Sequence, residues 1–302
     1  MVRGGALGDF ILTLPVLSAL RRAFPATHLE ALAYPRPSRL ALEAGIVDGT
    51  RAMESRGLAG FFARKGDLDA EWADYFGSFN VVLSYLYDPD GHFRANVGRV
   101  SRAQFIEGPH RPEEPSEVHA VAQLMRPLER LAIFGADPVP SLAGLGLATG
   151  VGALGARARI VAHPGSGGRR KNWPEDKWRL LLERLDAAGG MDVDLVGGEA
   201  EAEALPGLAH GLASVRHVVS EPLPELARRI AGASLFVGHD SGVTHLAAAT
   251  GVRGMVLWGP TCEAVWRPQS RRFLCLRHAE GLGHLPVDVV EGCLRDMLSR
   301  EG

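Results

Sequence analysis

The chain has 302 residues, 46% hydrophobic and 23% charged, with a formal net charge of −2, a size that allows two domain cores and a composition typical of a globular protein. Charge is balanced in both halves: 15 Lys/Arg against 17 Asp/Glu in residues 1–150, and 18 against 18 in the rest. Neither half offers the broad basic surface of a nucleic-acid binder, so no nucleic-acid partner is expected.

The first residues do not read as a signal peptide, because Asp9 interrupts the apolar region and Arg21 and Arg22 close an amphipathic stretch. No apolar run approaches the ~20 residues of a membrane span, and peripheral membrane contact through surface patches is compatible with the sequence. MetValArg is a very short first strand; either the true start lies upstream or this edge is trimmed. Gly4 to Asp9 form a turn, and Ile11, Leu14, Leu17, Leu20 and Phe24 share one face of a helix ended by Pro25. Residues 29–33 read as a strand, 38–46 as a helix, 54–77 as helical, 80–85 as a strand, 92–97 as a helix start and 103–106 as a short strand. A loop is expected over 108–116 and a long amphipathic helix over 118–134. Residues 135–159, rich in Gly, Ala and Pro, look like an interdomain linker with a short strand inside.

A second series follows. Residues 160–163 form a strand, 164–168 a glycine turn and 175–187 a helix with Trp178, Leu181, Leu182 and Leu185 on one face. Strands are expected at 191–197, 217–220, 234–237 and 254–259, with helices after 201, at 223–230 and starting by 243, and a last amphipathic helix over 285–298. Strand–turn–helix repeated in this way indicates two doubly wound parallel sheets. Cys262, Cys275 and Cys293 form no CxxC pair, so neither a zinc site nor a disulfide framework is expected, and a reducing cytoplasm is the simplest fit.

In such sheets ligands sit beyond the carboxyl ends of the strands. Asp240, Ser241 and Gly242 stand between a strand and a helix start, whose unpaired N–H groups favour an anion; Asp240 can cap that helix. His245 lies one turn in and can donate to a phosphate or pack in the core. Ser166 and Lys171 belong to a Gly- and Arg-rich turn that can neutralise a diphosphate or can simply be a solvated basic turn. Glu199 can accept from a ribose diol, or favour a helix start. Trp173 and Trp258 read as core. Asp9 can act as a general base or cap the following helix.

These stretches together resemble glycosyltransferase family 9, the lipopolysaccharide heptosyltransferase-like enzymes. The resemblance rests on ArgGlyGlyAlaLeuGlyAspPheIleLeuThrLeuPro at the start, HisProGlySerGlyGlyArgArgLysAsnTrpPro in the middle, PheValGlyHisAspSerGlyValThrHisLeuAlaAlaAla, then GlyProThr and TrpArgPro at 266–268. It implies an α/β GT-B fold of two facing Rossmann-like domains with parallel sheets, the active site lying between them. Residues 1–150 would form the acceptor-binding domain and 151–302 the nucleotide-sugar-binding domain, with the last helix crossing back onto the first. By motif match Asp9 would be the catalytic base, and Ser166, Lys171, Glu199, Asp240, Ser241, Gly242 and His245 would bind the donor. The reaction implied is inverting, metal-independent and without a required cofactor: a sugar, heptose from ADP-heptose by analogy, passes from a nucleotide diphosphate to a lipopolysaccharide-core-like or other cell-envelope glycan or glycolipid, in the cytoplasm or at the inner face of the membrane. The acceptor residues match no motif; Arg36, Arg39, Arg94, Arg99 and Arg102 are candidates for an anionic glycolipid or are ordinary surface arginines. Two rivals share these motifs: a non-catalytic nucleotide-sugar-binding protein and a GT-B-like nucleotide-sugar epimerase.

Overall fold

A computed structural model describes residues 1–147 and 157–299. Short apolar runs alternate with glycine turns and amphipathic helices, and this alternation folds into two compact units, Met1–Pro138 and Val139–Gly302. The division falls before the expected border at 150. The reason is packing: Leu142 and Leu145 are buried, and the Leu142 N–H donates to the Ala249 carbonyl at 2.9 Å, so this stretch is held by the second unit. The strand expected within the linker falls partly on residues 148–156, outside the described residues.

The first unit runs β1 (Val2–Arg3), α1 (Leu7–Ile11), α2 (Leu14–Ala23), β2 (Glu30–Ala33), α3 (Pro35–Glu43), β3 (Gly49–Ala52), α4 (Ala59–Phe62), α5 (Ala70–Gly77), β4 (Val81–Ser84), α6 (His92–Val100), β5 (Gln104–Glu107) and α7 (Ala120–Met125). Its sheet is parallel in the order β3-β2-β1-β4-β5, so the two-residue β1 is the central strand and not an edge. Chain order reverses between β1 and β4, which makes the loops after these two strands the flanks of the ligand crevice. The helix expected from Phe10 is broken into α1 and α2, with Pro15 in the first turn of α2, where its missing N–H costs little. The helix expected over 118–134 ends at Met125 and continues as a 3₁₀ turn from Arg126 to Leu131, because Pro127 cannot donate within the helix. The segment 54–77 is helical only in pieces.

The second unit runs β6 (Ala158–His163), α8 (Glu175–Ala188), β7 (Met191–Gly197), α9 (Ala204–Ala209), β8 (Val215–Val219), α10 (Leu223–Ala231), β9 (Leu235–His239), α11 (Gly242–Thr250), β10 (Gly254–Leu257), α12 (Glu263–Trp266), β11 (Phe273–Leu276) and α13 (Val287–Ser299). All pairings in its sheet are parallel, in the order β11-β10-β9-β6-β7-β8, and the reversal lies between β6 and β9. Trp178, Leu181, Leu182 and Leu185 of α8 enter the core under this sheet. So do Val287, Val290 and Leu294 of α13, and Arg184 ties the two helices through Asp288 and Glu291. No helix among the described residues is long and apolar enough to cross a membrane.

Candidate donor and base sites

At the reversal point of the second sheet, three loops converge on one carboxylate. Asp240, the residue after β9, is 6% exposed. Its Oδ2 accepts from Lys171 Nζ at 2.7 Å and from Thr261 Oγ1 at 2.7 Å. Lys171 comes from the loop after β6 and Thr261 from the loop after β10, so the side chain that joins them sits where the strand order predicts a ligand. Lys171 keeps a third of its side chain exposed, which leaves its charge available to a ligand.

The helix start beside this carboxylate is capped by Ser241, not by Asp240. Ser241 has extended backbone, and its Oγ accepts from the Thr244 N–H, the usual position of an N-cap hydroxyl. Gly242 is the first residue of α11, and His245 lies buried in its first turn. Asp240 is thereby released from capping to hold Lys171 and Thr261.

A buried histidine that the resemblance did not single out shapes the loop after β6. His239 is fully enclosed; its Nε2 accepts the Trp173 N–H at 2.9 Å. A backbone N–H only donates, so the proton of this neutral ring resides on Nδ1, which faces the Gly165 carbonyl at 3.3 Å. One imidazole therefore joins both ends of the loop that carries Ser166 and Lys171. Burial lowers its pKa to about 4, and lowers that of the neighbouring His163 to about 3, so both are neutral at pH 7. Ser166 lies in this loop with its Oγ 2.5 Å from Asn172 Oδ1 and 2.9 Å from the Gly168 carbonyl, which makes it a loop-shaping residue.

Glu199 is exposed in a 3₁₀ turn after β7. The more constrained carboxylate is Glu201, whose Oε2 accepts the Gly198 N–H at 2.8 Å. A Cβ on Gly165 would lie 2.3 Å from Glu201, so a glycine there lets the two loops touch. They border a depression of about 750 Å³ lined by Gly165, Ser166, Asn172, Trp173, Glu201 and Ala204 among others. Trp173 and Trp258 are core residues, as expected; their indole N–H groups donate to the Leu285 and Thr261 carbonyls.

In the first unit Asp9 stands in the first turn of α1. It is not the N-cap: the helix begins at Leu7, and Asp9 Oδ2 accepts the Ala6 N–H at 2.9 Å from within. Asp9 Oδ1 lies 3.3 Å from Arg3 Nη2, with the carboxylate about a third exposed and the arginine 2% exposed. Arg3 also donates to the Asp9 carbonyl and to the His110 carbonyl, at 3.3 and 2.8 Å. Burial pulls the Arg3 pKa down while Asp9 opposes that effect. The result is a carboxylate oriented by two partners beyond the carboxyl end of the central strand. Of the surface arginines, Arg39 pairs with Glu43, Arg94 with Glu107, and Arg99 binds the Gly66 carbonyl.

Two parallel α/β units with polar loops at their strand ends are the arrangement of the GT-B fold class, which the structural likeness below bears out. Residues 138–286 match the model of glycosyltransferase family 9 (heptosyltransferase), the family that the sequence motifs resemble. Among curated proteins, lipopolysaccharide heptosyltransferase 1 of Escherichia coli K12 is 38% identical over 92 residues, 30% of this chain and 28% of that protein, so the matched part spans under a third of that relative. Lipopolysaccharide heptosyltransferase 3 of the same strain is 24% identical over 300 residues, covering 88% of this chain and 84% of its own length. Among solved structures, E. coli heptosyltransferase WaaC with ADP superposes with a TM-score of 0.74 at 20% identity, covering 98% of both chains, which establishes the shared fold.

Proposed function

We propose that this protein is an inverting glycosyltransferase that moves a sugar from a nucleotide diphosphate to a hydroxyl of a cell-envelope glycan or glycolipid. Asp240, held by Lys171 and Thr261 beside the start of α11, is the observation that carries the reading. Backbone N–H groups of Gly242 and Val243 and the ammonium of Lys171 are the donors that take up the charge of the leaving diphosphate. Ser166 shapes that loop, Ser241 caps the helix, and His245 lies buried in its first turn. Glu199 is the proposed partner of the ribose. With these donors supplied by the protein, the proposal includes neither a metal nor a cofactor.

In the first unit, Asp9 is the proposed base. Its carboxylate takes the proton of the acceptor hydroxyl, the hydroxyl oxygen attacks the anomeric carbon, and the bond from that carbon to the diphosphate oxygen breaks. Inversion follows from single displacement. ADP-heptose is the proposed donor, because both curated relatives above are named as heptosyltransferases and the structural neighbour is solved with ADP. The cytoplasm is the proposed compartment; Cys262, Cys275 and Cys293 are all free thiols, as a reducing compartment allows.

The test pairs binding with transfer. ADP should raise the melting temperature, by the equivalent of ~2.7 kcal/mol at a hundred times its dissociation constant. Asp9→Ala should keep that shift and lose transfer to an extracted lipopolysaccharide-core acceptor. Absence of a shift with any nucleoside diphosphate would sink the donor assignment. Release of epimerised sugar from the nucleotide sugar alone would sink the transferase reading.

A further inference from the structure

The motifs leave the acceptor residues unassigned. We propose that a pocket beside Asp9, walled by Tyr87 and His110, holds a neutral sugar ring of the acceptor. This inference rests on the reading of Asp9 as the base.

The pocket lies at the carboxyl ends of β4 and β5, and its lining includes Ser84, Tyr87, Asp88, Glu107 and His110. β4 is the strand across the reversal point from β1, so the pocket borders the expected crevice of the first sheet on its β4 side. A direct link joins it to the base: Arg3 binds Asp9 Oδ1 through Nη2 and the His110 carbonyl through Nη1. The volume is about 230 Å³, below the ~300 Å³ at which pockets for drug-sized ligands begin. One sugar ring fits it, not an oligosaccharide.

The chemistry of the walls selects the ring. Tyr87 is 70% exposed, though it is a large aromatic side chain. Its ring packs against the His110 imidazole with centroids 4.7 Å apart, which fixes the orientation of an otherwise free side chain. A fixed, exposed aromatic face suits the apolar face of a pyranose, and its hydroxyl suits a sugar hydroxyl at the edge. Asp88 and Glu107 supply carboxylate acceptors, and no lysine or arginine lines the pocket. Asp88 is already fixed against the first turn of α6, accepting the Phe93 and Arg94 N–H groups at 3.1 and 3.0 Å. The guanidinium of Arg94 binds Glu107 Oε2 at 3.0 Å. An acidic sugar would meet two carboxylates here, with the neighbouring cation, Arg94, already engaged by Glu107, whereas a neutral ring meets acceptors for its hydroxyls.

Saturation-transfer difference NMR on the full chain tests this with two probes of one shape, methyl β-D-glucopyranoside and methyl β-D-glucopyranosiduronate. The glucoside should be saturated and the glucuronide much less so. Tyr87→Ala should abolish the glucoside signal, Tyr87→Phe should retain most of it, and Phe134→Ala, an equally exposed aromatic of the same unit, should leave it unchanged. Glu107→Gln should raise the glucuronide signal, because it removes one repelling charge and releases Arg94. Equal saturation of both probes, no saturation of either, or a glucoside signal that survives Tyr87→Ala would overturn the proposal. The ADP melting shift, measured on each variant, verifies folding and separates the two failures: a shift without sugar binding leaves the donor reading standing, and loss of both removes the two together.

Discussion

Two residues of the site owe their geometry to a neighbour that does no chemistry. Asp9 is one. Gly5 precedes it with φ of +97°, and a Cβ on Gly5 would lie 2.5 Å from Asp9 Oδ2, so the backbone makes room for the carboxylate. Lys171 is the other, carried on a loop whose two ends meet at His239. That imidazole must stay neutral to accept from Trp173, which makes the loop sensitive to acid. Its pKa is about 4 in the fold against 6.5 in an ordinary histidine, so between these values the unfolded chain binds the proton and the folded chain does not. Stability is therefore complete above pH 6.5 and falls as the pH drops towards 4, by roughly 3 kcal/mol for this one group. His163 adds to the same slope. His239→Gln should flatten the loss between pH 6.5 and 4 in urea titrations while lowering stability at pH 7.5. A variant with the parent's slope would show that His239 does not govern this window.

At the scale of elements, α11 concentrates the most proposed function in the least chain. Ser241 caps it, Gly242 opens it, and Asp240 just outside it holds two other loops. Ser241→Ala should cost ~1 kcal/mol as a lost N-cap. Ser241→Asp should restore the cap, since aspartate serves there as well as serine, yet place a negative charge where the diphosphate is proposed to sit. Stability and ADP affinity should then move in opposite directions, in calorimetric melts and in isothermal titration. If Ser241→Asp bound ADP as tightly as the parent, the anion would not lie at this helix start. Most of this architecture was legible in the sequence, because the apolar faces of α2, α8 and α13 repeat at helical spacing. The edge strands β3 and β11 were not: Gly49–Ala52 has no buried alternation, and Phe273–Leu276 has one buried side chain. The cap was misread because Asp and Ser cap equally well, and only the backbone angles distinguish them. Glu201 drew no notice in the sequence because contact with Gly165 across loops leaves no local signature. The acceptor pocket was invisible for the same reason: Tyr87 and His110 belong to loops far apart in sequence.

At the scale of the whole chain, the two units divide the proposed chemistry as well as the fold. Each sheet reverses chain order once, and each reversal point carries one polar cluster: Arg3 and Asp9 in the first, Lys171, Asp240 and Thr261 in the second. The second unit alone holds the family-matched stretch, save for its first residue. Nucleotide binding should therefore register there. In hydrogen exchange with saturating ADP, amides of residues 164–173, 198–203 and 241–245 should gain protection, since a bound anion satisfies N–H groups that otherwise face water. Residues 84–90 and 107–111, which form the proposed acceptor pocket, should exchange at their unliganded rate until a sugar is added. Asp9→Ala should leave the ADP pattern intact, because it removes a base and no donor contact. If ADP instead protected residues 4–10 and left 241–245 unchanged, the nucleotide would belong to the first unit and the roles proposed for the two sheets would have to be exchanged.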